Sequence, residues 1–177
     1  MLERYYMILT GIDPDLKGGV FTANLGGTGR VVLSAHRMPV YTPKPPFKGK
    51  ARVDPQRLWE VLTEARRAGS VAVVLEAASV RTQHSAKGQA MQGSIHRTHQ
   101  NFGVIWAISE LAFTRSRVII AYPSVWKSAL GLTSDKELSR VMAIECYPTH
   151  AKLFGKVKNT GLAEAALLCE WGLGKFT

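Results

Sequence analysis

MILTGIDPDLKGGVFTANL, residues 7–25, sets the first strands of the fold and raises its central question. An apolar run, Met7 to Leu9, leads through Gly11-Ile12 into Asp13-Pro14-Asp15, and a second β-prone run from Val20 to Leu25 follows a Gly-Gly pair. The pattern predicts two strands of a hairpin, about 5–12 and 18–25, joined by a turn from Pro14 to Gly19. Asp13 then sits at the end of a strand bound for the core. A carboxylate there must be partnered, protonated or coordinating a cation. It can also cap the turn, because Asp-Pro is a frequent turn dipeptide.

Further elements follow along the chain. RVVLSAHRMPV (30–40) reads as a third strand, and YTPKPPFKGKARV (41–53), with its prolines and basic residues, reads as a loop. Asp54-Pro55 opens a helix to about Ala68, with Leu58, Val61, Leu62 and Ala65 at helical spacing. SVAVVLEAASV (70–80) is a continuous apolar strand ending near Glu76. Residues 81–100 are polar, without clear periodicity, and fit a loop or a short helix equally. NFGVIWAISELAFT then reads as a helix, SRVIIAYP as a buried strand, and SDKELSRVMAIECYP and TGLAEAALLCEWG as two C-terminal helices. The order β-β-β-α-β-α-β-α-α implies an α/β fold, a mixed five-stranded sheet with helices on both sides in the ribonuclease-H-like manner.

The 177 residues read as a single domain, 1–177. Lys plus Arg total 23 against 13 Asp plus Glu, a net charge of +10, which favours a polyanionic partner and nucleic acid above all. No basic amphipathic helix, long apolar span or secretory signal is read, so no membrane partner is expected. Cys146 and Cys169 lie apart in apolar helical contexts and read as reduced core residues. His84, His96 and His99 stand in a polar loop without nearby acid or cysteine, which argues against zinc.

Glu76 ends a strand that can neighbour that of Asp13, and Glu164 sits in a helix otherwise filled with Ala and Leu. Singly, Glu76 reads also as an exposed strand end, and Glu164 as an acid favoured near a helix N-terminus. Together, three converging carboxylates call for a hard divalent cation and suit phosphodiester hydrolysis.

These residues carry a resemblance. GIDPDLKGG (11–19), VVLEAA (73–78), PSVWKSALGLTSDKELSRVMAIECYP (123–148) and GLAEAALL (161–168) resemble the RuvC-like Holliday-junction resolvases, most of all the chloroplast branch and its phage and bacterial relatives. The resemblance implies a homodimeric endonuclease that resolves four-way DNA junctions by paired symmetric nicks. It implies two Mg²⁺ ions per active site, Mn²⁺ substituting, and no small-molecule cofactor. It assigns the metals to Asp13, Glu76, Glu164 and position 159, with Lys136 contacting the scissile phosphate. It points to the chloroplast nucleoid, or to the cytoplasm for a bacterial or phage source. Where the family commonly has an aspartate, this chain has Asn159. Three readings stand: a tolerated variant, a junction-binding protein with a decayed site, and an Asp-to-Asn change that traps substrate, which the isosteric amide favours. Another ribonuclease-H-like nuclease, acting on RNA–DNA hybrids or resembling a transposase, is a further alternative.

Expected phosphate contacts are Lys44, Lys48, Lys50 and Arg52 in one basic loop, Arg81, Lys87 and Arg97 in another, and Lys127, Lys136 and Arg140 nearer the acids. Gln89, Met91, Gln92 and Phe102 are the candidates for insertion at the junction centre. Trp106 and Trp126 read as core or interface anchors, and the helix from Phe102 to Phe113 as a self-complementary dimer face.

Overall fold

The computed structural model describes residues 7–27, 29–46, 49–78 and 88–176, with only the backbone for 88–94. Its centre is a five-stranded sheet in the order β3-β2-β1-β6-β7. The strands are β1 (Ile8–Asp13), β2 (Gly19–Asn24), β3 (Val31–Arg37), β6 (Ala72–Glu76) and β7 (Val118–Ala121). The first three form an antiparallel meander, whereas β6 lies parallel to β1 and β7 parallel to β6. This is the mixed sheet that the element order predicts.

Alternation along the strands sorts side chains to two faces. Ile12, Val20, Val73 and Leu75 point to one face and pack under Leu58 and Leu62 of helix α1 (Pro55–Arg67) and Ile105 and Phe113 of helix α2 (Gly88–Phe113). Leu9, Phe21, Ala72 and Val74 point to the other. They meet Trp126 of α3 (Pro123–Ala129), Ala143 of α4 (Lys136–Cys146) and Leu167 and Cys169 of α5 (Thr160–Leu173). Layers of helix, sheet and helix result. Both thiols are free, and Cys169 is buried, its Sγ donating to the carbonyls of Leu9 and Phe21 at 3.6 and 3.5 Å.

Several elements depart from the sequence reading. The polar segment from Gly88 is not a separate loop or short helix but the first part of the 26-residue α2; residues 81–87 lie outside the described residues. Its periodicity is hidden because this part of the helix is polar and glycine-bearing. The third strand stops at Arg37, and the loop after it contains a small hairpin of β4 (Val40–Tyr41) and β5 (Arg52–Val53). Residues 124–129, unassigned in the sequence, form α3 together with Pro123, which the sequence reading places at the end of the preceding strand and which instead opens the first turn. The helix expected after Asp54 is present, with the Asp54 carboxylate accepting from the Arg57 amide at 3.0 Å.

Helix α5 runs antiparallel to β1 at very short range. A Cβ placed on Gly11 would lie 1.9 Å from the Ala165 carbonyl oxygen, and one on Gly172 would lie 2.5 Å from Val74 Cγ2. Glycine is required at position 11 because the Ala165 backbone cannot yield to a methyl group, whereas at position 172 the methyl would press on the Val74 side chain. Gly11→Ala is expected to destabilise the protein by about 3 kcal/mol, at the upper end of overpacking costs. Urea unfolding measures this, and a loss below about 1 kcal/mol would show that α5 can lift off without cost.

Candidate active site

Asp13 and Glu76 reach the same place by strand parity. The parallel register pairs Ile12 with Leu75, so the next residues, Asp13 and Glu76, leave adjacent strands at the same end. Asp13 lies two residues beyond Gly11 and Glu76 two beyond Val74, so both face the α5 side. Glu164 enters from above, because the contact of Ala165 with Gly11 sets the first turns of α5 over the end of β1. Asp13 and Glu164 are buried, at 6% and 5% exposure. The three acids line one cavity of about 640 Å³ together with Asp15, Lys127 and Lys136.

The acids are partly neutralised by their neighbours. Lys127 Nζ lies 2.6 Å from Glu164 Oε1 and 5.1 Å from the centroid of the Trp126 ring. The Trp126 indole N–H donates to Glu76 Oε2 at 2.8 Å. Asp13 Oδ1 accepts only a long bond, 3.2 Å, from the Asp15 amide, so it caps the turn as well as facing the cluster. Burial, and after it the charges of Glu164 and Glu76, push the Asp13 carboxyl well above its ordinary 3.8. Burial first and Glu164 second push Glu76 from 4.5 up to about 7, against the Trp126 hydrogen bond and the Lys127 charge.

A buried all-carboxylate set is the donor chemistry of Mg²⁺ and Mn²⁺. Placed as they are, with Lys127 drawn onto Glu164, no group of three or more His, Cys, Asp or Glu among the described residues is arranged to hold a metal ion.

Asn159 makes no hydrogen bond to the acids among the described residues. It precedes α5 and lines neither cavity that Asp13 borders. Its Oδ1 accepts from Arg37 Nη2 at 2.6 Å, and its Nδ2 donates to the Leu153 carbonyl at 2.8 Å. An aspartate there would oppose that carbonyl with a second oxygen, so the amide matches its surroundings. The backbone next to it comes closer: a Cβ on Gly161 would lie 2.9 Å from Asp13 Oδ2 and 2.4 Å from Gly18 Cα.

The expected DNA contacts divide. Lys136 is exposed and borders the acid cavity, while Lys50 and Arg97 share a neighbouring one with it. Arg52 is exposed and borders a further cavity with Arg97, and Lys44 is exposed. Lys127 faces Glu164 rather than solvent. Arg140 is buried and held by Glu137, so its charge is already met and it presents no free phosphate ligand. Phe102 is half-buried against Trp106 and the core beneath α2, which occupies the ring expected to insert into DNA. Lys48, Arg81 and Lys87 lie outside the described residues, as do the side chains of Gln89, Met91 and Gln92. Sequence reasoning missed the bond from Trp126 to Glu76 and the cations Lys17 and Arg37.

No protein-family model matches the chain, and no curated protein matches it. Solved structures do. RuvC of Thermus thermophilus superposes with a TM-score of 0.60 at 16% identity over 97% of this chain and 98% of that one. Thermus thermophilus RuvC in complex with a Holliday junction substrate gives 0.61 at 16% identity over 96% of each chain. The fold is the ribonuclease-H-like fold of RuvC.

The raised acids carry a pH signature. The folded protein holds the Glu76 proton more tightly than the unfolded chain, so stability falls as pH rises from 4.5 to about 7. Without divalent metal, Glu76→Gln is expected to raise the melting temperature at about pH 8 by roughly 2–4 °C and to flatten its slope below neutrality. An unchanged slope in the Gln variant would remove Glu76 as its source.

Proposed function

We propose that this protein is a metal-dependent endonuclease that resolves four-way DNA junctions by paired symmetric nicks. The observation that carries the reading is the convergence of Asp13, Glu76 and Glu164 on one cavity at the ends of adjacent strands, in a chain of net charge +10. The RuvC-like fold supports it, as does the junction bound by one of the similar structures.

In this reading Asp13, Glu76 and Glu164 would hold two Mg²⁺ ions, which activate water and stabilise the leaving oxygen when bound. Lys127, paired with Glu164 Oε1 at 2.6 Å, leaves Oε2 for a metal and would add a positive charge beside the phosphate. Lys136, exposed at the rim, orients the scissile phosphate. Burial of Asp13 and Glu164 strengthens the charge interactions that they make. In this reading Asn159, engaged with Arg37 and Leu153, is not one of the metal ligands. The sequence motifs support the chloroplast branch and the plastid nucleoid; a bacterial or phage source would put the same activity in the cytoplasm.

Incubated with a labelled four-way junction and Mg²⁺, the chain is expected to cut symmetrically and to stop with EDTA. Asp13→Asn is expected to lower cleavage by roughly a thousandfold or more while junction binding persists. Asn159→Asp is expected to bring no gain. Cleavage by the Asp variant alone would restore position 159 to the metal site. Tight binding without cleavage by either form would leave a junction-binding protein, and preferential cutting of RNA–DNA hybrids would leave a different nuclease.

Paired nicks require two sites, hence a homodimer. Helix α2 exposes Val104, Trp106, Ala107 and Leu111, the last at 67%, and this apolar stripe is the proposed subunit interface. Leu111→Glu is expected to shift the protein to a monomer in sedimentation and to turn paired cuts into single nicks. A dimer that survives the substitution would rule out this face.

A further inference from the structure

Beside the acid cavity lies a second one, of about 850 Å³, that shares Asp13, Asp15 and Lys136 with it and runs away past Lys17, Arg37 and Lys158. Its acids are the two at the shared end. The far part is cationic and apolar, with Leu16, Met38, Val40 and Val157 between the basic residues. No carboxylate lies within ion-pair distance of Lys17, Arg37, Lys136 or Lys158 among the described residues, whereas Arg30, Arg57, Arg140 and Lys127 each have one.

Arg37 is the most constrained of these cations. It ends β3 opposite Gly19, beside the β1–β2 turn. Asn159 Oδ1 accepts from its Nη2 at 2.6 Å, and Asn159 is itself fixed by the bond to Leu153 O. A neutral acceptor of this kind aims a guanidinium without cancelling its charge, and leaves donors free for a bidentate contact. Cations and apolar side chains lining one groove suit a strand whose phosphates are charged and whose sugars and bases are not.

We propose that this second groove is a phosphate-binding track for the DNA strand leaving the acid cluster, with Arg37, Lys17 and Lys158 as its phosphate ligands and Asn159 as the positioning residue of Arg37. The inference rests on the nuclease reading above and gives position 159 a role in substrate binding.

The test is the affinity of the full chain for a fluorescent four-way junction in EDTA, at several salt concentrations, followed by cleavage kinetics in Mg²⁺. The double variant Arg37→Gln, Lys158→Gln is expected to bind roughly tenfold more weakly and to lose about two from the slope of log affinity against log salt, one for each phosphate contact. Its loss in cleavage is expected mainly in KM. Asn159→Ala is expected to weaken binding by a smaller factor and to leave the half-activating Mg²⁺ concentration unchanged. Arg37→Lys, which keeps the charge and guards against misfolding, is expected to retain the salt slope. If the wild type binds and the double variant shows the same affinity and slope, the track is overturned while the nuclease reading stands. A shifted Mg²⁺ requirement in Asn159→Ala would also overturn the positioning role. If the wild type binds no junction, the nuclease reading itself fails, and the track with it.

Discussion

The structure depends on how closely helix α5 lies on strand β1. Gly11 has no Cβ, so the Ala165 carbonyl can occupy the space a methyl group would need, and Gly172 does the same beneath Val74. Near the other end, Gly161 meets Gly18 across a backbone bridge between the first turn of α5 and the β1–β2 turn. Helix α5 is thus held in antiparallel register by backbone at two points, Ala165 on Gly11 and Gly161 on Gly18, while Gly172 seats on the Val74 side chain of β6. Close packing of this kind tolerates no sliding, since a shift of one residue would drive a side chain into a carbonyl. The position of Glu164 over Asp13 follows from this register, and the candidate site inherits its precision from the core.

Charge is distributed around that lock in two ways. The acids repel one another; one ammonium and one indole N–H offset part of this, and burial together with the repulsion raises the proton affinity of Asp13 and Glu76. Three acids thus face one near cation, Lys127. On the surface some cations are matched to carboxylates and others are not. The net +10 is therefore not evenly available: Arg30 is tied to Glu170 across the end of α5, and Arg140 is buried beside Glu137, so both serve the scaffold. Unmatched cations gather along the grooves that open from the acids.

Much of the fold was legible in the sequence because the signals were local and periodic. The apolar run from Val71 to Leu75 reads as a strand covered on both faces, and the spacing of Leu58, Val61, Leu62 and Ala65 reads as a helix with one apolar face; both are present. Helix α2 was legible only in its second half, where Ile105, Ala112 and Phe113 reach the core; its start carries no apolar stripe for a periodicity argument to find. Helix α3 escaped for a different reason. At seven residues it is too short to show a period, and its identity rests on Pro123 at the first turn and on Trp126 being wholly buried, a tertiary fact.

At the site, spacing and direction give different answers, and direction decides. Asp13, Glu76 and Glu164 could be gathered from sequence because parity on a strand and phase on a helix translate position into direction. Asn159 could not, because it lies in the 3₁₀ turn Val157–Asn159, outside any element with a long period. Its place in the chain resembles that of a family aspartate, yet its amide is turned to Arg37 and to a carbonyl that only a donor can satisfy. The substitution of amide for acid thus need not record the loss of a metal ligand. The same geometry accounts for Asp13, whose two tasks coexist: one oxygen accepts from the turn that Pro14 begins, and the other faces the first turn of α5. A strand bound for the core can end on an acid when the turn, the helix above and the neighbouring strand all meet at its carboxylate.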